Sequence, residues 1–466
     1  MTRKALILLF MMITGPLSAQ SFYFGSDMSY VNEMEDCGVT YYEDGEAKDP
    51  YSIFADHGCN LVRLRLWHTP AWYDSLNQGK RYSDLADVKR AIARARQNQM
   101  QVLLDFHLSD SWADPSKQLA PAAWQPVVNN IERLQDSLYQ YIFRTLTDLK
   151  QDNLLPEMIQ IGNEVNKGIL LSPEANKVWT LDWERNAALF KHAVKAVRDF
   201  EQRSGSDVKI VIHVAGPANA EWMIDGFISH GVSDFDIIGL SYYWAWHQPT
   251  SIAEAGEVIR TFRKLYPEKA VMVVETGYIW TSEWNDRAAN IISDTHPDYR
   301  PASPENQRDW LIALTREVIA SGGKGVIYWE PAWVSSPCST QWGQGSHQEH
   351  ATFFDFDNQL LKPGGIEWMT YAYDFNTKAV DSGNALRVQI LSNSFSGDIK
   401  LKQFGSIPVK IDYTVSDSLE QVIQSGSFSD KATQFKLSGI PFGIYTIAIS
   451  HDGKRIKSEI INYGKG

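Results

Sequence analysis

The segment Met158-Ile159-Gln160-Ile161-Gly162-Asn163-Glu164 is an apolar run that ends in an amide and a carboxylate. Seven further apolar runs lie along the chain, at residues 22–25, 60–67, 101–107, 209–214, 235–242, 271–275 and 325–330. Amphipathic stretches such as 84–97 and 307–320 separate them, and this alternation is typical of βα units repeated around a parallel sheet. Eight units in about 350 residues predict an α/β fold, a (β/α)8 TIM barrel.

The first residues of the chain have the pattern of a secretory signal peptide. Arg3 and Lys4 precede the apolar residues 5–13, and small residues follow up to Ala19. We expect cleavage after Ala19, so that residues 1–19 are removed and the protein is exported to a periplasm, the cell surface or the medium.

Tryptophan marks the boundary between two further regions. All 16 tryptophans lie between Trp67 and Trp368. From residue 384 to 466 the sequence consists of short alternating runs separated by Gly, Ser, Asn and Asp, which predicts a small Ig-like β-sandwich. We therefore assign residues 20–375 to the barrel and residues 384–466 to a structural or attachment module.

Charge, hydropathy and cysteine content exclude several classes of partner. The chain has 56 acidic against 44 basic residues, a net charge of -12 and no basic block, which argues against a nucleic-acid partner. Beyond the N-terminal run, no apolar segment reaches the roughly twenty residues that span a membrane. Cys37, Cys59 and Cys338 allow one disulfide at most and lack the spacing of a zinc site, and whether Cys37 pairs with Cys59 is open. We expect a monomer.

Active sites of such barrels lie at the carboxyl ends of the strands. Here those ends carry carboxylates, amides, imidazoles and indoles, and the sequence has no phosphate-binding glycine loop, nucleophilic serine elbow or His-Glu-x-x-His helix. The candidate substrate-binding residues are Asp27, Arg65, Trp67, His107, Asp110, Trp112, Asn163, Tyr243, Trp246, His247, Tyr278, Trp329 and Trp333. The indoles suit stacking on pyranose rings, and Asn163 suits a hydrogen bond to a sugar 2-hydroxyl.

Two glutamates close apolar runs, Glu164 the fourth and Glu275 the seventh. They are 111 residues apart, close to three βα units at roughly forty residues each. Two carboxyl groups across a barrel mouth are what cleavage of a glycosidic bond needs, one as proton donor and one as nucleophile. The alternative is that one of them only forms an ion pair with Arg63 or Arg65.

Six motifs occur in order along the chain, at residues 24–29, 62–67, 105–115, 161–164, 274–278 and 328–333. Together they resemble glycoside hydrolase family 53, the endo-β-1,4-galactanases, over residues 22–370. The most specific motif is Asp105-Phe106-His107-Leu108-Ser109-Asp110-Ser111-Trp112-Ala113-Asp114-Pro115. Leu108 stands where the family pattern has Tyr, and Trp244-Ala245 stand where it has Pro-Phe.

The resemblance implies a retaining endo-hydrolase of β-1,4-galactan, in type I arabinogalactan and pectin side chains, that needs no cofactor for catalysis. It implies Glu164 as acid/base and Glu275 as nucleophile, with carboxyl groups about 5 to 5.5 Å apart. We expect a raised pKa for Glu164 and an ionised Glu275 near Arg65. The alternatives are a related hydrolase of β-1,4-glucan or mannan, and a carbohydrate-binding barrel without catalysis.

Some members of that family hold a structural calcium ion in the loop after strand seven. The nearest candidates here are Asp294, His296 and Asp298, of which histidine is an unusual calcium ligand. We expect a solvated loop at this position and no metal site.

Overall fold

The computed structural model describes residues 22–375 and, further along the chain, 387–392, 398–404, 409–417, 419, 421–430, 432–437, 441, 443–451 and 454–463. The chain divides into two compact units, one up to residue 379 and one from residue 380 onward. The predicted signal peptide and most of the predicted boundary between the domains lie outside the described residues.

Eight parallel strands form a closed barrel in the first unit, which confirms the predicted fold class. The strands are β1 (Tyr23–Asp27), β2 (Leu61–Leu66), β3 (Gln101–Phe106), β4 (Met158–Ile161), β5 (Lys209–Ala215), β6 (Ile237–Ser241), β7 (Ala270–Thr276) and β8 (Gly325–Tyr328). The barrel closes because β1 pairs with both β2 and β8, with Gly25 opposite Leu61 and Tyr23 opposite Gly325.

Burial on both faces explains why the strands are continuous apolar runs. All six residues of β2 are buried, including two arginines. Apolar side chains from the strands fill part of the barrel interior, namely Leu61, Leu103, Met158, Val211, Ile237, Met272, Val274 and Ile327. The buried polar residues of the strands therefore gather in the remaining part of the interior, where the candidate site lies.

Helices surround the barrel or lie in its loops. They are α1 (Val31–Asp36), α2 (Pro50–Asp56), α3 (Leu85–Gln97), α4 (Ile131–Gln151), α5 (Trp183–Ser204), α6 (Pro217–Ser229), α7 (Trp244–His247), α8 (Ile252–Leu265) and α9 (Pro304–Ala320). Short 3₁₀ helices occur at Ala71–Ser75, Asn77–Gly79, Ala122–Val127, Val165–Lys167, Ala175–Lys177, Pro297–Tyr299, Glu349–Ala351 and Gly365–Thr370. Helix α9 begins three residues before the predicted 307, because Ser303 caps it and Pro304 suits its first turn.

A disulfide joins Cys37, at the end of α1, to Cys338, in the loop after β8. Cys59 remains a free, buried thiol, so Cys37 does not pair with it. The two bonded cysteines are 301 residues apart, and their bond ties the loop after β1 to the loop after β8.

The second unit consists of two antiparallel sheets. Its strands are β9 (Arg387–Ser392), β10 (Asp398–Phe404), β11 (Ile411–Ser416), β12 (Val422–Phe428), β13 (Ala432–Lys436), β14 (Gly443–His451) and β15 (Lys454–Tyr463). One sheet has the order β9-β10-β13 and the other β12-β11-β14-β15. Side chains such as Leu401 of the first sheet and Ile447 of the second share one apolar core, which agrees with the predicted sandwich. Within the ranges given above, no helix has the length and apolar character needed to cross a bilayer.

Candidate active site

Glu164 has a backbone conformation that few residues other than glycine adopt. Its φ is 45° and its ψ is 58°, in the left-handed region. Gly162, two residues earlier, also has a positive φ, and a Cβ there would lie 2.7 Å from Val165 Cγ1. Gln118 Nε2 donates to the carbonyl oxygens of Asn163 at 2.8 Å and Glu164 at 3.2 Å. The surroundings thus hold a strained turn after β4, as is common at functional sites.

The carboxyl group of Glu164 is contacted by the neighbouring strands. Ser241 Oγ, at the end of β6, lies 2.6 Å from Glu164 Oε1. The same hydroxyl lies 2.7 Å from Nε2 of His213 on β5. Ser241 is also the register partner of Glu275 on β7. Strands β4 to β7 therefore bring both glutamates to one region of the barrel, each with less than a tenth of its surface exposed.

Glu275 lies among groups that favour its charged form. Arg63 Nη1 is 3.1 Å from Glu275 Oε2. The hydroxyl of Tyr243 donates to Glu275 Oε1 at 2.9 Å. Each oxygen of this carboxylate consequently has its own partner, which fixes the orientation of the group.

Burial raises the pKa of both glutamates, but their partners differ. For Glu164, burial and then the charge of Glu275 raise the pKa to about 8, as expected, and the hydrogen bond from Ser241 opposes this only in part. For Glu275, burial raises the pKa to about 7 against the opposing effects of Arg63 and the Tyr243 hydroxyl. A single proton shared by the pair therefore resides on Glu164.

Arg63 is the centre of the buried polar network. Its guanidinium donates to Asp27 at 2.8 Å, to Asp105 at 2.7 Å, to Asn163 Oδ1 at 2.7 Å and to Gln160 Oε1 at 3.3 Å. The neighbouring carboxylates keep the pKa of Arg63 above its usual value in spite of burial, so the guanidinium stays charged. One cation thus orients side chains from β1, β3, β4 and β7.

Asn163, next to Glu164, has a fixed amide orientation. Its Oδ1 accepts from Arg63, and its Nδ2 donates to the carbonyl oxygen of Ala113 at 2.8 Å. An amide nitrogen carries two hydrogens. One of them is left for a ligand, which is the hydrogen that the predicted contact to a sugar hydroxyl needs.

Arg65 does not contact Glu275, so that prediction is wrong. Its Nη1 lies 3.1 Å from Glu330 Oε1, at the end of β8, and its Nη2 donates to Ser83 at 3.0 Å. The position beside Glu275 belongs to Arg63, two residues earlier on the same strand. Successive residues i and i+2 of a strand point to the same face, so the two arginines share a face but lie at different depths of the barrel.

Trp67 and Trp333 are buried, with 0% and 1% of their surface exposed. Trp67 packs against the guanidinium of Arg65, 4.3 Å from its ring centroid. Trp333 stacks on Tyr30 with ring centroids 3.8 Å apart. Neither indole offers an open face in this structure, and stacking of these two residues on substrate stays a prediction. Trp67 instead packs against Arg65, and Trp333 packs against Tyr30.

Tyr278 is another predicted contact that the structure buries. Its hydroxyl donates to the carbonyl oxygen of Tyr299 at 3.1 Å and accepts from the N–H of His296 at 2.8 Å. Its ring stacks on Trp310. Tyr278 thus holds the loop after β7, and its contact with substrate stays a prediction.

His107 and Asp110 lie in the long loop motif after β3. His107 is buried, with Nδ1 2.9 Å from Asp105 Oδ2, and burial lowers its pKa. The two carboxylate oxygens of Asp110 accept from the backbone N–H groups of Thr69 and Ala122, at 2.9 and 2.8 Å. Asp110 therefore ties the loops after β2 and β3 together.

Among the predicted aromatic contacts, Trp246 is the most open, with 45% of its surface exposed. Trp112 is half-buried and meets Trp329 edge-on, with centroids 5.7 Å apart. His247 Nδ1 accepts from the N–H of Tyr243 at 2.9 Å, so that the ring supports the residue that contacts Glu275. Burial lowers the pKa of His247 to about 4, and the ring is neutral at pH 7.

Two of the candidate calcium ligands, Asp294 and His296, accept hydrogen bonds from protein groups. Asp294 Oδ2 accepts from Gln248 Nε2 at 2.8 Å, and His296 Nδ1 accepts from the N–H of Asp298 at 3.1 Å. In the part of the chain that the structure describes, no group of three His, Cys, Asp or Glu side chains is placed to hold a metal ion.

Several site residues escaped the sequence analysis, namely Arg63 as the network centre, Gln160, His213 and Ser241. These four residues share one signal, which is a polar side chain inside or at the end of an otherwise apolar strand. Such a residue must find a partner when it is buried, so its neighbours are expected to be polar too. The exposed Trp179, in the loop after β4, is not among the predicted aromatic contacts either.

Comparisons with known proteins agree with this geometry. Residues 23–363 match the family model of glycosyl hydrolase family 53. The arabinogalactan endo-β-1,4-galactanase of Cellvibrio japonicus is 45% identical over 344 residues, 73% of this chain and 89% of that protein. The endo-β-1,4-galactanase of Bacillus subtilis is 31% identical over 82% of this chain and 88% of that protein. The solved GH53 catalytic domain of Ignisphaera aggregans superposes with a TM-score of 0.67 and 32% identity, over 77% of this chain and 98% of that one. This chain therefore belongs to glycosyl hydrolase family 53.

Proposed function

We propose that the protein is a retaining endo-β-1,4-galactanase that cleaves the galactan side chains of type I arabinogalactan and pectin. The observation that carries the proposal is the pair of buried carboxyl groups at the ends of β4 and β7, within a barrel that is 45% identical to a named arabinogalactan endo-β-1,4-galactanase. Glycosidic bond cleavage requires two such groups.

We assign Glu275 as the nucleophile and Glu164 as the acid/base. Arg63 and Tyr243 each contact one oxygen of Glu275 and favour its anionic form, which is the form that attacks a sugar. Among the described residues, no cation lies at hydrogen-bond distance from Glu164, and its pKa is raised to about 8, which suits a proton donor at neutral pH. The difference between the two environments supports the division of roles.

The reaction proceeds in two displacements. Glu275 attacks the anomeric carbon while Glu164 gives its proton to the leaving glycosidic oxygen, which produces a glycosyl ester on Glu275. Water then attacks the same carbon, and its proton passes to the Glu164 carboxylate. The ester bond breaks, and Glu275 is released as an anion. The sugar keeps its original anomeric configuration.

Substrate contacts are proposed for the residues that retain a free group. Asn163 Nδ2 has one hydrogen available for the sugar 2-hydroxyl, next to Glu164. Trp246 and the partly exposed Trp112 offer aromatic surface for pyranose rings. Asp27, His107 and Trp329 are buried, and we propose that they line the wall of the site.

The test is a panel of purified galactan, β-1,4-glucan and β-1,4-mannan, with product lengths followed over time. We expect a fall in galactan chain length from the first time points and no products from the other two polymers. Release of sugar from glucan or mannan at the galactan rate would contradict the galactan assignment. Tight binding of galactan without cleavage would identify a binding barrel.

We also propose that the protein is exported. The pattern of residues 1–19 supports a signal peptide, and the disulfide between Cys37 and Cys338 supports an oxidising compartment. Fractionation of the producing cell with an antibody to the barrel tests this. Accumulation of uncleaved protein in the cytoplasm would contradict it.

A further inference from the structure

The hydrogen bonds of Asn163 determine what its Oδ1 can do. Arg63 Nη2, which can only donate, is 2.7 Å from Oδ1, and the carbonyl oxygen of Ala113, which can only accept, is 2.8 Å from Nδ2. The amide cannot be flipped without breaking both bonds. Any further polar atom close to Oδ1 must therefore be a donor.

His213 Nδ1 is such an atom, at 2.9 Å from Asn163 Oδ1. Two other groups approach Nδ1, but less closely. Gln160 Nε2 is 3.1 Å away and has Gly162 O at 3.0 Å and Asn163 Oδ1 at 3.2 Å for its two hydrogens. The N–H of Glu164 is 3.4 Å away, at the limit of a hydrogen bond. The shortest contact therefore places the hydrogen of the neutral imidazole on Nδ1.

With the hydrogen on Nδ1, Nε2 of His213 carries a lone pair and needs a donor. The group at hydrogen-bond distance is the hydroxyl of Ser241, 2.7 Å away. A serine hydroxyl has one hydrogen. The 2.6 Å contact between Ser241 Oγ and Glu164 Oε1 then has two directions. The hydroxyl donates to Glu164 when that group is an ionised carboxylate, and it accepts from Glu164 when the carboxyl group is protonated and the serine hydrogen points to His213. The ring is completely buried, so water does not reach it to replace either bond.

We infer that His213 and Ser241 are positioning residues that hold the proton of the acid/base on Glu164. They do so through three hydrogen bonds in series: the Glu164 carboxyl group donates to Ser241, Ser241 donates to His213, and His213 donates to Asn163. This inference rests on the proposed function, since it concerns the acid of that reaction. It assigns a role to two residues of β5 and β6 that need not touch the substrate.

The chain of hydrogen bonds is reversible during the two displacements. When Glu164 passes its proton to the leaving oxygen, the hydroxyl of Ser241 turns its hydrogen from His213 to the new carboxylate. No covalent bond of Ser241 or His213 is broken. When Glu164 takes a proton from the attacking water, the hydroxyl turns back. The Nε2 lone pair of His213 is thus the group that favours return to the protonated acid.

His213 must stay neutral for this arrangement. Burial and the positive charge of Arg63 lower the pKa of His213 well below its usual value, and Asp105 opposes this only in part. The charged or titratable groups that face Glu164 are Glu275, Asp114, Arg63 and Tyr243, and those that face His213 are Arg63, Asp105 and His107. Each of these groups is present whether Glu164 is protonated or ionised. They therefore do not replace the Ser241 hydroxyl, whose hydrogen turns between His213 and Glu164.

The direct test is the tautomer of His213, observed by long-range ¹H–¹⁵N NMR of the full chain with labelled histidine. The signals are assigned by their loss in His213→Gln. We expect a hydrogen on Nδ1 and none on Nε2 at pH 6, and an Nε2 shift that changes with the same midpoint as the basic limb of kcat/KM. In Glu164→Gln, whose amide mimics the protonated acid, the Nε2 shift should not change with pH. A hydrogen on Nε2, or a charged ring, would overturn the inference.

A kinetic test uses an aryl β-galactobioside. His213→Phe removes the acceptor, so Ser241 can donate to the Glu164 carboxylate and favour it, and the basic limb should move about one pH unit lower. In a Ser241→Ala background the same substitution should cause no such shift. Lower turnover at every pH with an unmoved basic limb would mean a structural role only and would overturn the inference. A wild-type protein inactive on this glycoside and on galactan would instead refute the proposed function.

Discussion

Arg63 Nη1 lies 3.1 Å from Glu275 Oε2, and both side chains are buried. The same guanidinium donates to Asp27, Asp105 and Asn163. A single cation therefore sets both the charge and the position of the proposed nucleophile. The loss of this contact should affect chemistry more than substrate binding.

We expect Arg63→Lys to lower kcat on galactan about 100-fold, because an ammonium group cannot reproduce the planar set of bonds. The acid limb of the pH profile should move to higher pH, since the guanidinium lowers the pKa of Glu275. Arg65→Lys is the matched control, because Arg65 is equally buried but pairs with Glu330. It should lower the midpoint of thermal unfolding and leave the acid limb in place. Equal shifts of the limb in both variants would contradict this account.

Trp179 is expected to extend the binding surface beyond the bond that is cleaved. It lies in the loop after β4, the strand that leads to the proposed acid, and 65% of its surface is exposed. Lys167 Nζ lies 5.4 Å from its ring centroid, so one face is supported and the other is open. We expect Trp179→Ala to raise KM for galactan about fivefold, with little change for a short aryl galactobioside.

The control for Trp179 is Trp222→Ala. Trp222 is also exposed, at 42%, but it lies on α6 and packs against Trp183. Its replacement should leave both substrates unaffected. If Trp179→Ala behaved in the same way, the indole of Trp179 would have no part in galactan binding.

Glu33 should make the barrel less stable as pH rises. It is buried, and burial raises its pKa from 4.5 to about 8 in spite of the hydrogen bond from Tyr73. The folded state therefore binds a proton that the unfolded state releases between these values. Its contribution to stability is complete below pH 4.5 and is lost as pH rises toward 8. Compared with Glu33→Gln, the wild type should lose roughly 3 to 4 kcal/mol of unfolding free energy between pH 5 and pH 8. The unfolding free energies of the wild type and of Glu33→Gln are measured in urea at each pH. If both changed with pH in the same way, Glu33 would not be the group involved.

Turnover is expected to reside in the first unit. The residues described above as contacts of Glu164 and Glu275 belong to the barrel strands and to the loops that follow them, and the second unit has its own core. A chain that ends at residue 377 should keep its kcat on soluble galactan. A folded truncated protein, checked by circular dichroism, that loses more than about 100-fold in turnover would place part of the active site in the second unit.

Sequence patterns predicted the barrel and the positions of its two glutamates because both depend on local features. Continuous apolar runs mark buried parallel strands, and a carboxylate that follows such a run lies at the carboxyl end of the barrel. Glu164 and Glu275 are examples, because each is the last residue of an apolar run that can be recognised in the sequence.

Contacts that depend on depth within the barrel could not be predicted in the same way. Arg63 and Arg65 have the same periodicity, and the structure decides that the first meets Glu275 and the second meets Glu330. Likewise, Trp67 follows a strand as Trp246 does, yet the guanidinium of Arg65 and nearby rings cover the first and leave the second open. The Cys37–Cys338 bond is set by closure of β1 against β8, which sequence spacing does not reveal.

The central claim is that Glu275 forms the covalent intermediate while Glu164 supplies the proton. The most direct measurement is mass spectrometry of peptides after reaction with a 2-deoxy-2-fluoro aryl galactobioside, whose glycosyl ester breaks down slowly. The account predicts one added glycosyl group per chain, on the peptide that contains Glu275, and none in Glu275→Gln. A label on Glu164 or another residue, or no label together with products of inverted anomeric configuration, would contradict it.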